Sequence, residues 1–316
     1  MYVRTTTLGM SDRLVSQMMG NQSSLLETQV QLASMKKITK PSDNSVDAAQ
    51  ILNLEKQQDK IDTYKTNIVT AREQISMLDG SLGRVIDVLQ RANELTVQAS
   101  NQIYSRDQLI AIKGEIDQIS ASIVDFANTQ YSGQYIFSGN NVTYPAYTKE
   151  ADGSIVYNGS SGSQDSQRTL EIMEGVQLPL NVVGSDIFGS YHAGDGTPAD
   201  PPSGTGMFKA LSDLSTALAL DPPDVTKISA QLGPVKDALN TANNIRTQYG
   251  AFSSKRLDMT ESYLTDLSLS IAEQKSGLED IDMVKAITDL NNQNYAYQAS
   301  LSSASKSLQI SLLNYI

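Results

Sequence analysis

The chain has 316 residues, no cysteine, and a formal net charge of -11. No lysine and arginine stripe is present, so nucleic-acid binding, which needs a basic surface, is excluded. The lack of cysteine excludes disulfides and thiolate metal sites, and no run of about 18 apolar residues exists that would span a membrane. Residues 1–7 lack a charged region followed by an apolar one, so we expect no cleaved secretory signal. A cytoplasmic protein and one exported by another route both remain open.

The first predicted helix runs from Asp12 to about Lys37. Its apolar residues come largely as adjacent pairs, namely Leu14 with Val15, Met18 with Met19 and Leu25 with Leu26, followed by Val30, Leu32 and Ala33. Paired positions widen the apolar stripe beyond what one partner helix can cover. The helix is therefore expected to have more than one neighbour.

A turn follows at residues 40–43. Pro41 disfavours helical geometry at the preceding lysine, so the helix should end before it. Ser42 or Asp43 is the expected cap of the next helix, whose positive end Asp43 and Asp47 would suit.

The next helix is long and carries a sustained apolar stripe. From Ile61 the stripe follows a three-four spacing, through Tyr64, Ile68, Ala71, Ile75, Leu78, Leu82, Val85, Leu89, Ala92, Thr96, Ala99 and Ile103. This spacing is the coiled-coil pattern and predicts a helical segment roughly 63 Å long. Gly80 and Gly83 lie inside it and predict a bend or a close helix approach. The helix is expected to reach about Ser100.

A third helix is predicted after a turn at residues 101–105. Leu109 begins a second stripe with three-four spacing, and a short link between sequential helices favours an antiparallel hairpin. The core of this predicted rod comprises Ile61, Ile68, Ile75, Leu82, Leu89, Ile112, Ile116, Ile119, Ile123 and Phe126.

The pattern changes between residues 131 and 206, where glycine and proline accumulate. Short β-type runs occur at residues 134–137, 154–157, 169–172 and 180–183, and Asp-Gly and Asn-Gly pairs mark tight turns. This region is predicted to be a small β-rich insertion that ends in a loose loop at residues 189–206.

Helices resume at Met207, with a short helix that stops before residues 221–223. A long helix then begins near Asp224, and its stripe changes phase at Gly250, which predicts a kink or a stutter. Gly277 is expected to separate this helix from the last one.

The last helix has a strict four-three stripe through Met283, Ile287, Leu290, Asn294, Tyr297, Leu301, Ala304 and Leu308. Lys306 is the only charged residue from Leu290 to the end, so the helix needs a partner. The two ends of the chain therefore predict an assembly interface formed by Leu14, Met18, Leu25, Leu26, Val30, Leu32, Ile287, Leu290, Tyr297, Leu301, Leu308, Leu312 and Leu313. Asn294 either fixes the register of this seam or is exposed where the seam is loose.

We expect no enzyme, no cofactor and no metal site. His192 is the only histidine and lacks converging partners, so it is interpreted as a solvated loop residue. Asp195 and Asp200 lie without EF-hand spacing. The carboxylates Glu279, Asp280 and Asp282 are interpreted as the acidic first turn of the last helix.

The terminal segments resemble bacterial flagellins and their hook-associated relatives. Residues 38–43, Ile-Thr-Lys-Pro-Ser-Asp, are similar to the family pattern Ile-Asn-Lys-Pro-Ser-Asp, although Met35 stands where glycine is usual. Residues 89–98 resemble Leu-Gln-Arg-x-x-Glu-Leu-x-Val-Gln, and residues 298–313 look like the closing helix of the family. Residues 131–139, Tyr-Ser-Gly-Gln-Tyr-Ile-Phe-Ser-Gly, resemble the opening of the head in the hook-associated branch at the hook–filament junction.

The resemblance implies a mainly α fold, in which both chain ends form a long coiled-coil or helical-bundle rod and a small β-rich head is inserted in the middle. Residues 1–40 and 278–316 would form the terminal assembly region, 41–130 and 207–277 the rod, and 131–206 the head. The implied function is that of a structural subunit that connects hook to filament and templates flagellin assembly.

The same resemblance implies a set of partners and an export route. The partners would be the neighbouring hook-associated protein, flagellin, copies of the chain in a ring, and an export chaperone at the C-terminal helix. Export through the flagellar type III system would place the chain outside the cell. Arg91, Leu95 and Gln98 match a flagellin surface read by a Toll-like receptor, with helix packing or solvent exposure as their ordinary roles.

Two rival functions remain. The first is a flagellin filament subunit. The second is a secreted coiled-coil effector or adhesin that binds a ligand through its head.

Overall fold

The computed structural model describes residues 7–101, 104–160, 168–193 and 202–313, with side chains described from Asp12 to Lys306 within these ranges except at Phe252. The α-helices are α1 (Thr7–Ser34), α2 (Ser45–Ala99), α3 (Arg106–Ala127), α4 (Gly184–Ile187), α5 (Gly206–Leu218), α6 (Val225–Ala230), α7 (Leu232–Arg246), α8 (Ser253–Glu279) and α9 (Met283–Leu313). The predicted fold class, mainly helical with a small strand-rich middle, is confirmed.

The strands all fall between α3 and α5. They are β1 (Gln130–Tyr131), β2 (Gln134–Tyr135), β3 (Tyr147–Lys149), β4 (Ile155–Tyr157), β5 (Thr169–Met173), β6 (Val176–Pro179), β7 (Ser190–His192) and β8 (Ser203–Thr205). β3, β4, β7 and β8 form one antiparallel sheet in that order, and β1–β2 and β5–β6 are separate antiparallel pairs.

The chain divides into two compact units. The terminal unit contains residues 1–60 and 265–316, and the central unit contains residues 61–264. The helices α2 and α8 each contribute residues to both units. The three-part functional division into assembly region, rod and head stays a prediction.

The stripe of α2 is the core of the central unit. Its members from Ile61 to Ala99 are buried, except Tyr64, which is half-buried, and Ile103 lies outside the described residues. Thr96, the polar member, is fully buried and donates its hydroxyl to the Ala92 carbonyl at 2.6 Å, which removes the cost of burying it. We call this buried row, together with the buried face of α3, the central seam.

The helices α2 and α3 form the predicted antiparallel hairpin. Ser81 of α2 donates to the Phe126 carbonyl near the end of α3 at 3.0 Å, and Arg91 pairs with Glu115 further back along α3 at 2.6 Å. The predicted rod residues on α3 are buried apart from Phe126, whose half-buried ring lies 5.3 Å from the Arg84 guanidinium carbon. A Cβ at Gly83 would meet the Arg246 guanidinium at an ordinary contact distance of 3.6 Å, and a Cβ at Gly80 would meet nothing within 4 Å, so neither glycine is required by a close helix approach.

The phase change near Gly250 is a π-helical segment, Thr247–Phe252. On its two flanks Ala242 and Leu257 are buried. Tyr249, between them, packs against the apolar cluster that contains Ala242. From Tyr249 to Leu257 is one residue more than a heptad, and a regular α-helix would rotate that extra residue by about 100°. The wider π turn takes up the extra residue, so both flanking helices keep their apolar faces towards the core. The predicted kink or stutter is therefore a π segment.

Aromatic residues fill the strand-rich region. The Phe137 and Phe188 rings meet edge to face with centroids 5.1 Å apart, and Tyr147 lies 5.1 Å from Phe208 of α5. These rings belong to the same apolar cluster as the helical core of the central unit. Asn128, just after α3, exchanges two hydrogen bonds with the Tyr147 backbone, at 2.8 and 2.9 Å, and so joins helix to sheet.

Some local predictions are wrong. Residues 180–183 are buried but form no strand, and the strand in this stretch is β6, which pairs with β5. Gly277 lies inside α8 rather than at a break, because a glycine in a packed helix costs only about 1 kcal/mol. The cap of α2 is Asn44, whose Oδ1 accepts from the Val46 and Asp47 amides at 3.1 and 3.2 Å. Asp43 instead accepts from the Thr39 and Lys40 amides, and these bonds lower the pKa of its carboxyl.

Candidate assembly interface

The base of the terminal unit is formed by the start of α2 and the end of α8. The Lys275 ammonium contacts the Glu55 carboxylate at 2.8 Å, and this bond raises the pKa of Lys275. Gln58 donates to the Ser268 hydroxyl at 2.9 Å. Ile38, Ala48 and Ile51 form a small buried cluster, against which Leu278 packs. This apolar contact area is small.

Two turns meet beside this base. The Lys37 amide donates to the Glu279 carbonyl at 2.6 Å, and the Ile281 amide donates to the Met35 carbonyl at 3.1 Å. Lys36 and Asp280 thus form an isolated antiparallel bridge, and the Lys36 ammonium also contacts the Glu279 carboxylate at 2.5 Å. We call residues 35–37 and 279–281 the clasp.

The residue at the end of α1 has an unusual backbone. Met35 follows the last helical residue and has a φ of 57°, in the left-handed region. Glycine is the usual residue at this position of a helix end, because a Cβ there is strained. The side chain of Met35 is 64% exposed, so packing offsets little of that strain.

The helices α1 and α9 lie side by side and pack along each other. They are antiparallel, because α1 ends at the clasp and α9 begins just after it. The less exposed positions of α1 include Leu14, Met18, Asn21, Leu25, Thr28 and Leu32. Those of α9 include Ala286, Leu290, Gln293, Tyr297, Ser300 and Ala304. Both rows have four-three spacing, and we call the two together the inner seam. Only Thr28 and Ala286 among them are fully buried.

Each helix also carries exposed apolar residues away from the inner seam. On α1 these include Val15, Met19, Leu26 and Val30, and on α9 Val284, Ile287, Tyr295 and Leu301. Met19 is 62% exposed and Tyr295 is 71% exposed. We call these eight residues the outer stripes. No charged residue belongs to them, so in water they are unpaired apolar surface.

The predicted interface residues fall on both faces. Leu14, Met18, Leu25, Leu32, Leu290 and Tyr297 are half-buried in the inner seam, whereas Leu26, Val30, Ile287 and Leu301 are exposed on the outer stripes. The side chains of Leu308, Leu312 and Leu313 lie outside the described residues. The sequence-based set did not include Val15, Met19, Val284 and Tyr295. The sequence could have indicated these four positions, because each is an apolar residue next to a member of the regularly spaced row.

The middle of the inner seam is polar. Asn294 is half-buried, and its neighbour Gln293 has a buried side-chain oxygen with no hydrogen-bond partner. Gln293 was not identified from the sequence, because it lies one position off the four-three row. An unpaired buried oxygen weakens this seam.

The three predicted helix-start carboxylates have different roles. Asp282 caps α9, since its Oδ1 accepts from the Val284 and Lys285 amides at 3.0 and 3.1 Å. Glu279 ends α8 and pairs with Lys36 and Lys275, and Asp280 is a member of the clasp bridge.

His192 ends strand β7 rather than lying in a loop, and its side chain is exposed. The buried Ser154 hydroxyl donates to the Asp152 carboxylate at 2.8 Å and lies 3.4 Å from the His192 Nδ1. The Ser154 amide, followed by its hydroxyl, lowers the pKa of Asp152. Because the serine proton is bound by the carboxylate, this triplet lacks the serine–histidine–aspartate order of a nucleophile. Asp195 and Asp200 lie outside the described residues.

The part of the chain that the structure describes offers neither a metal site nor a membrane span. In it, no group of three or more His, Cys, Asp or Glu side chains is placed to hold a metal ion. None of its helices combines the length and the apolar character that crossing a membrane requires.

The three residues that match the receptor-bound surface of flagellin, Arg91, Leu95 and Gln98, lie on α2. Leu95 is 2% exposed and packs in the central seam. Arg91 is bound by Glu115 and, at 3.4 Å, by Glu94, which raises the pKa of Arg91. Gln98 is half-buried.

Comparison with known proteins identifies the family. The bacterial flagellin N-terminal helical region matches residues 6–142, and the bacterial flagellin C-terminal helical region matches residues 232–316. Together they cover well over half of the chain, which therefore belongs to the flagellin family. It is a structural component of the bacterial flagellum.

Individual relatives cover nearly the whole chain. The chain is 25% identical over 312 residues to flagellar hook-associated protein 3 of Salmonella typhimurium, spanning 94% of this chain and 95% of that protein. It is 26% identical over 296 residues to flagellin of Bacillus subtilis, spanning 90% of each. A putative flagellar hook-associated protein from Vibrio parahaemolyticus has a similar fold, with a TM-score of 0.63, 20% identity, and coverage of 75% of this chain and 100% of that one.

Proposed function

We propose that this chain is a junction subunit that connects the flagellar hook to the filament and templates the first flagellins. The observation that carries the proposal is the pair of outer stripes on α1 and α9. A junction subunit must bind other subunits through surfaces that are uncovered in the free chain, and these stripes supply such surfaces.

The energetic case rests on the size of the exposed apolar surface. Full burial of a leucine, methionine or valine side chain contributes roughly 1.5–3 kcal/mol. Six of the eight outer-stripe residues are of these types, and because they are exposed, the free chain lacks much of the free energy that their burial would contribute. Association with neighbouring subunits recovers it, whereas a permanent monomer would carry an aggregation liability.

The junction role is favoured over a bulk filament role by the middle of the chain. The Salmonella hook-associated relative and the Bacillus flagellin align over 94% and 90% of the chain, so the aligned span does not separate the two roles. Residues 131–139 carry the distinction, because they resemble the head opening of hook-associated proteins. We infer that the partners are the adjacent hook-associated protein, flagellin, copies of this chain in a ring, and an export chaperone at α9. Export through the flagellar type III system would deliver the chain to its extracellular site.

Deletion of the gene tests this role directly. We expect bare hooks by electron microscopy and abundant monomeric flagellin in the medium, because exported subunits would have nothing on which to grow. Loss of the major flagellin band would identify a filament subunit instead. Normal filaments, together with ligand binding by the head, would favour a secreted effector or adhesin.

A variant of the outer stripe tests the surface itself. We expect the double variant Leu26→Ser/Val30→Ser to abolish complementation of the deletion. Its free energy of unfolding should stay within about 0.5 kcal/mol of the parent value, because both residues are exposed. Met259→Ser is the matched control, since that residue is 66% exposed on the central unit. Full motility with the double variant would contradict the assembly role of this stripe.

A further inference from the structure

Methionine is the only sulfur-containing residue type of this chain. The sequence has ten methionines, no cysteine and no tryptophan. In such a chain a two-electron oxidant such as hydrogen peroxide reacts mainly with the thioethers, which it converts to sulfoxides. This reaction changes a flexible apolar side chain into a polar one. Its consequence for the chain therefore depends on where each methionine lies.

The methionines differ in their exposure and in their surroundings. Met207 of α5 is fully buried in the core of the central unit, so an oxidant reaches it only if that core opens. Met19, Met35 and Met259 are exposed to similar extents, 62%, 64% and 66%. Of these three, only Met19 belongs to the outer stripes. Met35 lies in the clasp, and Met259 lies on α8 within the central unit.

Met19 lies in the middle of the outer stripe of α1. It follows Val15 by four residues and precedes Leu26 by seven, so these three side chains share one side of the helix. Its sequence neighbour Met18 is half-buried in the inner seam instead. A sulfoxide at Met19 would therefore place a polar group inside an otherwise apolar row.

Oxidation of Met19 would change the free chain little. The side chain already lies mostly in water, and a change at an exposed position usually has only a small effect on the free energy of unfolding. In an assembled subunit the sulfoxide oxygen would instead be buried against a neighbour, where a polar group without a hydrogen bond is costly. The fold therefore tolerates the modification, whereas assembly does not.

We propose that Met19 is an oxidation site that controls assembly: its sulfoxide blocks the outer stripe of α1, and assembly in turn protects the thioether. The proposal rests on the assembly role above. In the reaction, a lone pair of the Met19 Sδ attacks one oxygen of the peroxide, and the S–O bond forms as the O–O bond breaks. The departing hydroxide takes the proton of the transferred hydroxyl and leaves as water. The sulfur loses two electrons, which the peroxide gains. Reduction by a methionine sulfoxide reductase, with a thiol as the electron donor, reverses the change.

Peroxide treatment of the purified full-length chain tests the site. After the peroxide is removed, we expect the treated chain to cap hooks isolated from the deletion strain about tenfold less than the untreated chain, as counted by electron microscopy. Its circular dichroism and its unfolding midpoint in denaturant should not change. Treatment with the reductase should restore capping.

Two variants assign the effect to one thioether. Met19→Leu, a volume-conserving apolar change, should cap normally both before and after peroxide treatment. Met259→Leu is the matched control, because it removes an equally exposed thioether of the central unit. This control should lose capping on oxidation as the parent does.

Oxidation after assembly tests the protection. Mass spectrometry of peptides from the treated free chain should show Met19 and Met259 oxidised to similar extents, because their exposures are similar. When the parent chain is treated after it has capped hooks, Met19 should be oxidised several-fold less than in the free chain. Equal oxidation of Met19 in the free and the assembled chain would overturn the proposal. This measurement needs no variant, so it decides the matter even if untreated Met19→Leu does not cap.

The outcomes separate the two proposals. If oxidised Met19→Leu lost capping as the parent does, other methionines would be responsible and the oxidation site would be overturned. Failure of the untreated parent to cap hooks would overturn the junction role. Sedimentation of assemblies formed by the chain alone would then decide the oxidation site, since peroxide should reduce them in the parent but not in Met19→Leu. If no such assemblies formed, the outer stripe would not be an assembly surface and both proposals would be overturned.

Discussion

The central seam and the inner seam follow the same three-four spacing but differ in burial. In the central seam, Ile68, Leu82 and Leu89 are fully buried. In the inner seam, Leu25 and Tyr297 at equivalent positions keep part of their surface in water. Spacing therefore determines which side of a helix faces its partner, and the residues on the partner determine how completely that side is covered.

The partners explain the difference. From Leu78 onward, the central seam packs leucine and valine of α2 with isoleucine of α3, so large apolar groups meet from both sides. The α9 face of the inner seam has Leu290 and Tyr297, but its other members, Ala286, Gln293, Ser300 and Ala304, are small or polar. The terminal helices also carry large apolar residues on their outer stripes, which the described part of the chain leaves exposed.

The largest expected effect is in the central seam. Leu82→Ala should lower the free energy of unfolding of the central unit by about 2–5 kcal/mol, because it leaves a cavity in a close-packed row. Denaturant unfolding followed by circular dichroism measures the change. Leu26→Ala on the outer stripe is the control and should shift it by less than about 0.5 kcal/mol. If Leu82→Ala and Leu26→Ala lowered the free energy of unfolding equally, the two regions would not differ in how completely their apolar residues are buried.

A smaller effect of opposite sign is expected in the inner seam. Gln293→Leu removes a buried oxygen without a partner and adds apolar surface, so it should stabilise the α1–α9 pair by about 1–3 kcal/mol. Hydrogen exchange within α9 measures this gain, and Gln298→Leu, at an exposed position, is the control. A loss of protection in the Gln293 variant would mean that this amide has a role in the register of the pair.

Alkaline pH should affect the central unit through Tyr157. Burial raises the pKa of its phenol to about 12, and the hydroxyl donates to the Phe137 carbonyl at 3.0 Å. Because the folded pKa lies above the unfolded value near 10, the stabilisation is complete below about pH 10 and is lost as the pH rises towards 12. Near-ultraviolet titration should show one late-ionising tyrosine fewer in Tyr157→Phe than in the parent, while the buried Tyr147, whose pKa burial also raises, still ionises late in both. If the parent and Tyr157→Phe showed the same number of late-ionising tyrosines, the Tyr157 phenol would be exposed to water and the prediction would be wrong.

The sequence predicted the helices far better than their outer faces. The stripe from Ile61 to Ala99 predicts the buried positions correctly, because its three-four spacing places an apolar residue on the same side of the helix throughout. The last helix shows the limit, since its row contains both inner Tyr297 and outer Leu301. With apolar residues on two sides, spacing alone does not identify the side that faces the partner helix. The strand predicted at residues 180–183 was wrong for a related reason, since burial without ladder partners gives the same apolar signal.

The π segment at Thr247–Phe252 has a consequence for comparing relatives of this chain. It adds one residue to a helix without displacing the packing on either side. A relative with an uninterrupted helix here would be one residue shorter, and a gap-free alignment through this point would misassign every position of α8. Such an alignment would pair core leucines with surface residues and understate the similarity of the C-terminal halves. A single gap placed within residues 247–252 restores the equivalence.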